Sequence, residues 1–336
     1  MPMITRSQHV QQPTRWQSLL ADAITDPARL LEALELSPEL LPQAIRASAS
    51  FRLKVPRSFI ARMVKQDLDD PLLRQVLPLG DELAENTGFS LDPLSERESM
   101  PVPGLLHKYQ GRILLTMTGA CAVHCRYCFR RHYPYTEANP AREHWRSSLD
   151  YLRQNTRITE VILSGGDPLT LSDQRLGSLV ADLGTLAQLE TLRIHTRVPV
   201  VLPERVVPEL LDWIAATPLN VVIVIHCNHA NEIDGHVIEA MRALRAAGAT
   251  LLNQSVLLRG VNDDSDSLVN LSKRLLEAGV LPYYLHQLDR VQGAAHFSVS
   301  DTRAKQLLDA MRDRLPGYLL PRLVREEPHK SAKTPL

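Results

Sequence analysis

Three of the chain's four cysteines fall within eight positions, in "CAVHCRYCFRRH" (Cys121 to His132). They are spaced Cys-x3-Cys-x2-Cys, with Arg130 and Arg131 close behind. Clustered thiolates suit zinc, copper(I) and iron–sulfur clusters. Structural zinc takes four ligands, usually as two paired elements. Here there is one compact group of three. His124 or His132 could add a fourth ligand, but the spacing matches no common zinc motif. A [4Fe–4S] cluster normally takes four thiolates; one held by only three keeps an open position on its fourth iron, where a small molecule can bind. The bland alternative makes the three thiols small buried hydrophobes. That reading suits Cys227, in "IHCNHA", better than three cysteines so spaced.

A second stretch, "SGGDP" (164–168), joins two glycines to an acid. Glycine lets backbone approach a ligand closely, and Asp167 or a neighbouring carbonyl can accept from an ammonium group. A Gly-Gly turn alone is commonplace, so its meaning depends on where the fold puts it.

The elements that must position these residues change character along the chain. The first ~100 residues read as helix and loop: "DPARLLEALEL" and "LLPQAIRASASF" carry apolar residues at helical spacing, and "VPRSFIARMVK" opens on a proline suited to a helix start. "DDPLLRQVLP" and "SLDPLSERESMPVPGLLHKY" read as connecting segments. From Arg112 onward, apolar and β-branched runs recur at 112–118, 158–166, 189–197, 220–226, 249–257 and 280–287. Amphipathic stretches separate them, and after the first interval the runs start about every 30 residues, the length of a βα unit. Six such units predict an α/β fold with a parallel sheet. They are too few for the closed eight-stranded barrel, so we expect an open six-stranded (β/α)6 partial barrel. Parallel α/β folds carry their chemistry at strand C-termini. The cysteines, "SGGDP", "HTRVP", "HCNHANE" and "HQLD" all follow or end predicted strands, and "NQS" lies in one. The expected division is a helical region over 1–100, the barrel over 101–317 and a tail over 318–336. On composition alone, that tail reads as disordered.

The 336 residues are 44% apolar and 23% charged, with zero formal net charge. No global field favours nucleic acid or an anionic membrane. No segment approaches the ~18 apolar residues of a membrane span, the N-terminus lacks a signal-peptide run, and the cysteine usage is not that of a secreted disulfide framework. The expected location is the cytoplasm.

Cys-x3-Cys-x2-Cys after the first strand of six βα units, with Tyr127 before the third cysteine, resembles the radical S-adenosylmethionine (SAM) enzymes. "HKYQGRILL", "CRYCFRRH", "SGGDPL", "NHANEI", "LLNQSVLLRGVND", "PYYLHQLDRVQGAAHF" and "KTPL" together narrow the resemblance to the lysine 2,3-aminomutase family. Within it, they are similar to the shorter bacterial members that form (R)-β-lysine from L-lysine for elongation factor P. The resemblance implies a [4Fe–4S] cluster on Cys121, Cys125 and Cys128, with SAM on the open iron. It also implies pyridoxal 5′-phosphate (PLP) attached to Lys333, with Lys330 the local competitor, and PLP phosphate contacts from Arg112 and Tyr109. Ser164, Gly165, Gly166 and Asp167 match the segment at the SAM amino group, and His226 and Gln254 match residues lining the SAM and PLP region. Arg130 matches the residue that binds the substrate carboxylate, while Arg131 has a structural alternative. Asp289 matches an acid that binds the substrate ε-ammonium. The family's second acid, seven residues before the PLP lysine, is Glu326 here, one methylene longer, with Glu327 as an alternative. The resemblance further implies a flavodoxin- or ferredoxin-type reductant, a separate ligase that attaches β-lysine to elongation factor P, and a tail folded over the barrel mouth. The chain stops three residues after Lys333, as in the shorter members. Rival readings are an aminomutase for arginine or glutamate, and a non-catalytic zinc-binding interaction protein.

Overall fold

The computed structural model describes residues 15–135 and 142–336. Its centre is a nine-stranded sheet whose spatial order follows chain order. The strands are β1 (Leu105–Tyr109), β2 (Arg112–Thr116), β3 (Glu160–Ser164), β4 (Thr191–Thr196), β5 (Asn220–His226), β6 (Thr250–Val256), β7 (Leu281–His286), β8 (Arg322–Arg325) and β9 (Thr334–Pro335). Strands β2 to β8 pair in parallel. Six helices cross between them: Arg142–Gln154, Asp173–Gly184, Pro208–Ala216, Gly235–Ala246, Ser265–Glu277 and Asp301–Arg312. The six expected runs are β2 to β7, each followed by its helix. Edge strands β1 and β9 do not pair with each other, so the barrel stays open.

The pleat explains where the core lies. Successive strand residues face opposite sides. Val161 and Leu163, Leu192 and Ile194, and Val221, Ile223 and Ile225 join Leu176, Leu183, Leu210, Val237, Met241 and Leu244 of the helices in one apolar cluster. Ser164, Arg193 and His195, their alternates, line a central cavity together with Gln254 of β6 and Tyr284 and His286 of β7. Leu30, Leu34, Leu53, Val55, Phe59, Leu72 and Leu73 from the N-terminal region belong to that same apolar cluster.

The segments read as connections hold more structure than their composition suggests. Within "DDPLLRQVLP", Asp70 accepts from Leu72 N and Leu73 N at 2.8 Å and caps the one-turn helix Pro71–Arg74. "GLLHKY" supplies β1, which turns back onto β2 through Gln110 and Gly111; Gly111 has φ of 76°, a conformation few other residues adopt without strain. The tail is ordered by pairing: β8 extends β7 in parallel, and Thr334–Pro335 folds back antiparallel onto β8. Leu323 anchors β8 in a second apolar cluster with Leu307 and Met311 of the last crossover helix.

Candidate active site

Three attachments hold the cysteine loop. At its start, β3 ends against it: Met117 N donates to Ser164 O at 2.9 Å, Gly166 N to Thr118 O at 2.6 Å and Asp167 N to Ala120 O at 2.8 Å. The glycines make this approach possible. A Cβ on Gly166 would lie 2.3 Å from the Ala120 carbonyl oxygen, and one on Gly165 (φ 115°) would lie 2.8 Å from that of Thr118. The backbone that "SGGDP" approaches is therefore the cysteine loop itself. Asp167 then ties the loop to the end of β4. Its carboxylate accepts from Leu169 N (3.1 Å), Thr196 Oγ1 (2.7 Å), Arg197 N (2.7 Å) and Val198 N (3.2 Å). Burial raises its pKa to about 6 against those hydrogen bonds.

The N-terminal region supplies the third attachment. Buried Glu82 accepts from Arg126 Nε at 2.7 Å and Arg131 Nη2 at 2.8 Å. Arg131 also reaches the Arg126 and Gly293 carbonyls, which gives it the structural part foreseen as its alternative. His124 and His132 each direct a ring nitrogen at a backbone carbonyl, of Arg52 and Gln292 respectively.

The loop and the inner face of the sheet enclose a cavity of about 610 Å³. All fifteen residues given a role by the family resemblance line it: the three cysteines, Tyr109, Arg112, Arg130, Ser164 to Asp167, His226, Gln254, Asp289, Glu326 and Lys333. Cys227 is fully buried among apolar neighbours. Lys330 is exposed, and Glu327 accepts from the Thr334 hydroxyl.

The cavity's charges are paired across it. Arg130 forms a two-pronged ion pair with Glu96, Nε to Oε2 at 2.7 Å and Nη2 to Oε1 at 2.9 Å, and also donates to Ser164 Oγ at 3.1 Å. Lys333 donates to Glu326, which also accepts from the Tyr109 hydroxyl. Burial works to raise the Glu326 carboxyl, but the Lys333 cation and these hydrogen bonds hold it below the usual range. Asp289 behaves oppositely: burial and the Glu326 charge push it up to about 7. Arg112 lies over the Tyr109 ring at 4.3 Å. Gln254 donates to His226 Nε2 at 2.8 Å, and burial, with Arg197 and Arg130 nearby, lowers His226 to about 4. Its imidazole is neutral at physiological pH.

Sequence reasoning assigned no part to Glu96, His195, Arg197 or His286. The strand-end motifs "HTRVP" and "HQLD" flagged the last three as polar. Glu96 lay in a segment read as a connection, and nothing local to it pointed at Arg130.

These residues fit the implied groups. The Nε2 atoms of His195 and His286 are buried without a protein partner, so the wall offers polar atoms to a ligand. Burial and neighbouring thiols push Cys121 well up and Cys128 up to about 11; binding a metal through thiolates releases protons. Among the described residues, no three histidine, cysteine or carboxylate side chains are set to hold a single metal ion. The three cysteines line one cavity, and thiolates are the donors that iron–sulfur clusters take.

Residues 115–271 match the radical SAM superfamily model. The chain is 50% identical over 322 residues to the L-lysine 2,3-aminomutase of Escherichia coli K12, covering 96% of this chain and 94% of that protein. It is 46% identical over 334 residues to the enzyme of that name from Haemophilus influenzae, covering 98% and 99%. It is 34% identical over 323 residues to that of Clostridium subterminale, covering 96% and 77%. Such similarity, sustained over almost the whole chain, leaves no place for the zinc-binding alternative: the chain belongs to the L-lysine 2,3-aminomutase family of radical SAM enzymes, isomerases that work with a [4Fe–4S] cluster, SAM and PLP.

Proposed function

We propose that the cavity moves the α-amino group of L-lysine from C2 to C3, forming (R)-β-lysine. One observation carries this reading: one cavity is lined by Cys121, Cys125 and Cys128, by Lys333 and Arg112, by the Arg130 fork, and by Asp289 and Glu326. When bound, the cluster and SAM supply a radical able to take hydrogen from an unactivated carbon, and PLP holds the migrating nitrogen. The protein's part is to bind and orient.

In this reading Cys121, Cys125 and Cys128 hold the cluster, and Ser164 to Asp167 fix the loop that carries it and flank the SAM amino group. Lys333 anchors PLP. Arg112, backed by the Tyr109 ring, faces the phosphate; among the described residues it has no carboxylate partner. His226 and Gln254 wall the site as a neutral pair. Arg130 takes the substrate carboxylate, a geometry its fork suits, and it already grips the carboxylate of Glu96. Asp289 and Glu326 take the ε-ammonium, and two acids there disfavour glutamate as substrate.

The product is destined for elongation factor P through a separate ligase. What supports this is the resemblance of the sequence motifs to the shorter members of the family. A flavodoxin- or ferredoxin-type protein supplies the electron. The proposed location is the cytoplasm; among the described residues, no helix is long and apolar enough to cross a membrane. The proposed division is an N-terminal helical region (1–100), a barrel (101–317) and a PLP-bearing tail (318–336); residues 1–14 and 136–141 of it lie outside the described residues.

The test is anaerobic incubation of the reconstituted protein with SAM, PLP, reductant and one amino acid at a time: L-lysine, L-arginine or L-glutamate. β-Lysine is the expected product. Isomerisation of arginine or glutamate with lysine left unchanged would overturn the substrate assignment.

A further inference from the structure

We infer that Arg197, at the end of β4, sets the reduction potential of the cluster through Cys125. Its Nη1 lies 2.7 Å from Cys125 Sγ and 2.8 Å from the Tyr127 hydroxyl. Among the described residues, no other cation donates to any of the three thiols. The guanidinium is 4% exposed in its side chain, and its main-chain N–H is fixed by Asp167. Nη2 donates to Gln75 Oε1 at 2.6 Å and to Glu232 Oε2 at 2.9 Å.

Glu232 is itself fully buried and accepts from Asn228 N, His229 N and the Gln75 amide. The pair is thus a built device, anchored to the N-terminal helices and to the segment after β5. Burying two charges carries a large desolvation penalty. The family resemblance gives neither residue a role in binding substrate, SAM or PLP.

The physical effect has a definite sign. Reduction adds one negative charge to the cluster. A buried cation hydrogen-bonded to a cluster sulfur stabilises that charge and raises the potential. Glu232, one step further away, offsets part of it. The three protein ligands are also made unequal, because among the described residues only Cys125 receives such a donor.

This inference rests on Cys125 being a cluster ligand. The experiment is a redox titration of the anaerobically reconstituted full chain, followed by electron paramagnetic resonance of the reduced cluster. Glu232→Gln is nearly isosteric and leaves Arg197 on Cys125 without its offset; it should make reduction more favourable. The double variant Arg197→Met/Glu232→Gln removes both charges, so neither is left unpaired. It should make reduction about tenfold less favourable, about 59 mV for a one-electron couple. Arg197→Lys keeps the charge without the fork and should fall between parent and double variant. Parental potentials in all three, with full iron and sulfide content, would reduce Arg197 to a structural strut and overturn the inference. A Cys125→Ala protein that retains full iron and sulfide would instead overturn the assignment of Cys125 as a ligand.

Discussion

Arg130 and Lys333 each hold an opposite charge of the protein's own, Glu96 and Glu326. The cavity therefore contains a carboxylate on its guanidinium and an ammonium on its acidic side, the two charged ends of a lysine zwitterion. Replacing Lys333 with Ala should abolish covalent retention of PLP, read by borohydride trapping; Lys330→Ala, at an exposed position, should leave it unchanged. Asp289 offers a test through pH. Its carboxyl is raised from an ordinary 3.8 to about 7, so the folded state prefers it protonated. The stability this contributes is present below pH ~4 and is lost as pH rises to ~7. Asp289→Asn avoids that loss. At pH 8 the ligand-free variant should be more stable than the parent by a few kcal/mol, on the order of 1.4 for each pH unit between those two values, an advantage that shrinks toward pH 5 in denaturation curves. The same variant should bind lysine poorly, and for the parent kcat/KM should decline as pH falls below about 7.

At the scale of elements, the cysteine loop is shaped by its neighbours more than by its own sequence. Gly166→Ala places a methyl group against the Ala120 carbonyl oxygen, which must move the loop or β3. The expected outcome is sharply reduced iron and sulfide after reconstitution, with far-ultraviolet circular dichroism unchanged. Glu82→Ala leaves Arg126 and Arg131 buried without their acid. Losing one partner of such a group destabilises by about 3–5 kcal/mol, measurable as a lower denaturant midpoint. Both effects act between segments far apart in the chain, which defines what the sequence could reveal. The βα period identified β2 to β7, and the cysteine spacing identified the loop, because those signals are local. The brace on Glu82, the Glu96 partner of Arg130 and the Arg197 contact with Cys125 depend on how elements dock. Asp167 shows the limit most clearly: its motif pointed to an ammonium, whereas its carboxylate is occupied by four donors of the protein.

At the scale of the molecule, the tail completes the cavity by becoming part of the sheet. Composition suggested disorder, and the family resemblance alone recommended Lys333. What orders the tail is the open edge of β7, whose unpaired backbone groups β8 satisfies, and the apolar seat of Leu323. Ending the chain at Arg325 keeps β8 and removes Glu326, Lys333 and β9. That variant should load iron and sulfide normally while retaining no PLP, as measured by metal analysis and visible absorbance.

The gap between the two edges of the sheet also bears on how the barrel is fastened. Tyr109 of β1 reaches Glu326, beyond β8, across that gap. Among the described residues, no backbone pairing joins β1 to β9. A closed cylinder of strands changes its girth only by breaking main-chain pairs. In a cylinder slit along its length, side chains take over part of that fastening: here the Tyr109 phenol on Glu326, with His329 facing Glu98 at 3.7 Å nearby.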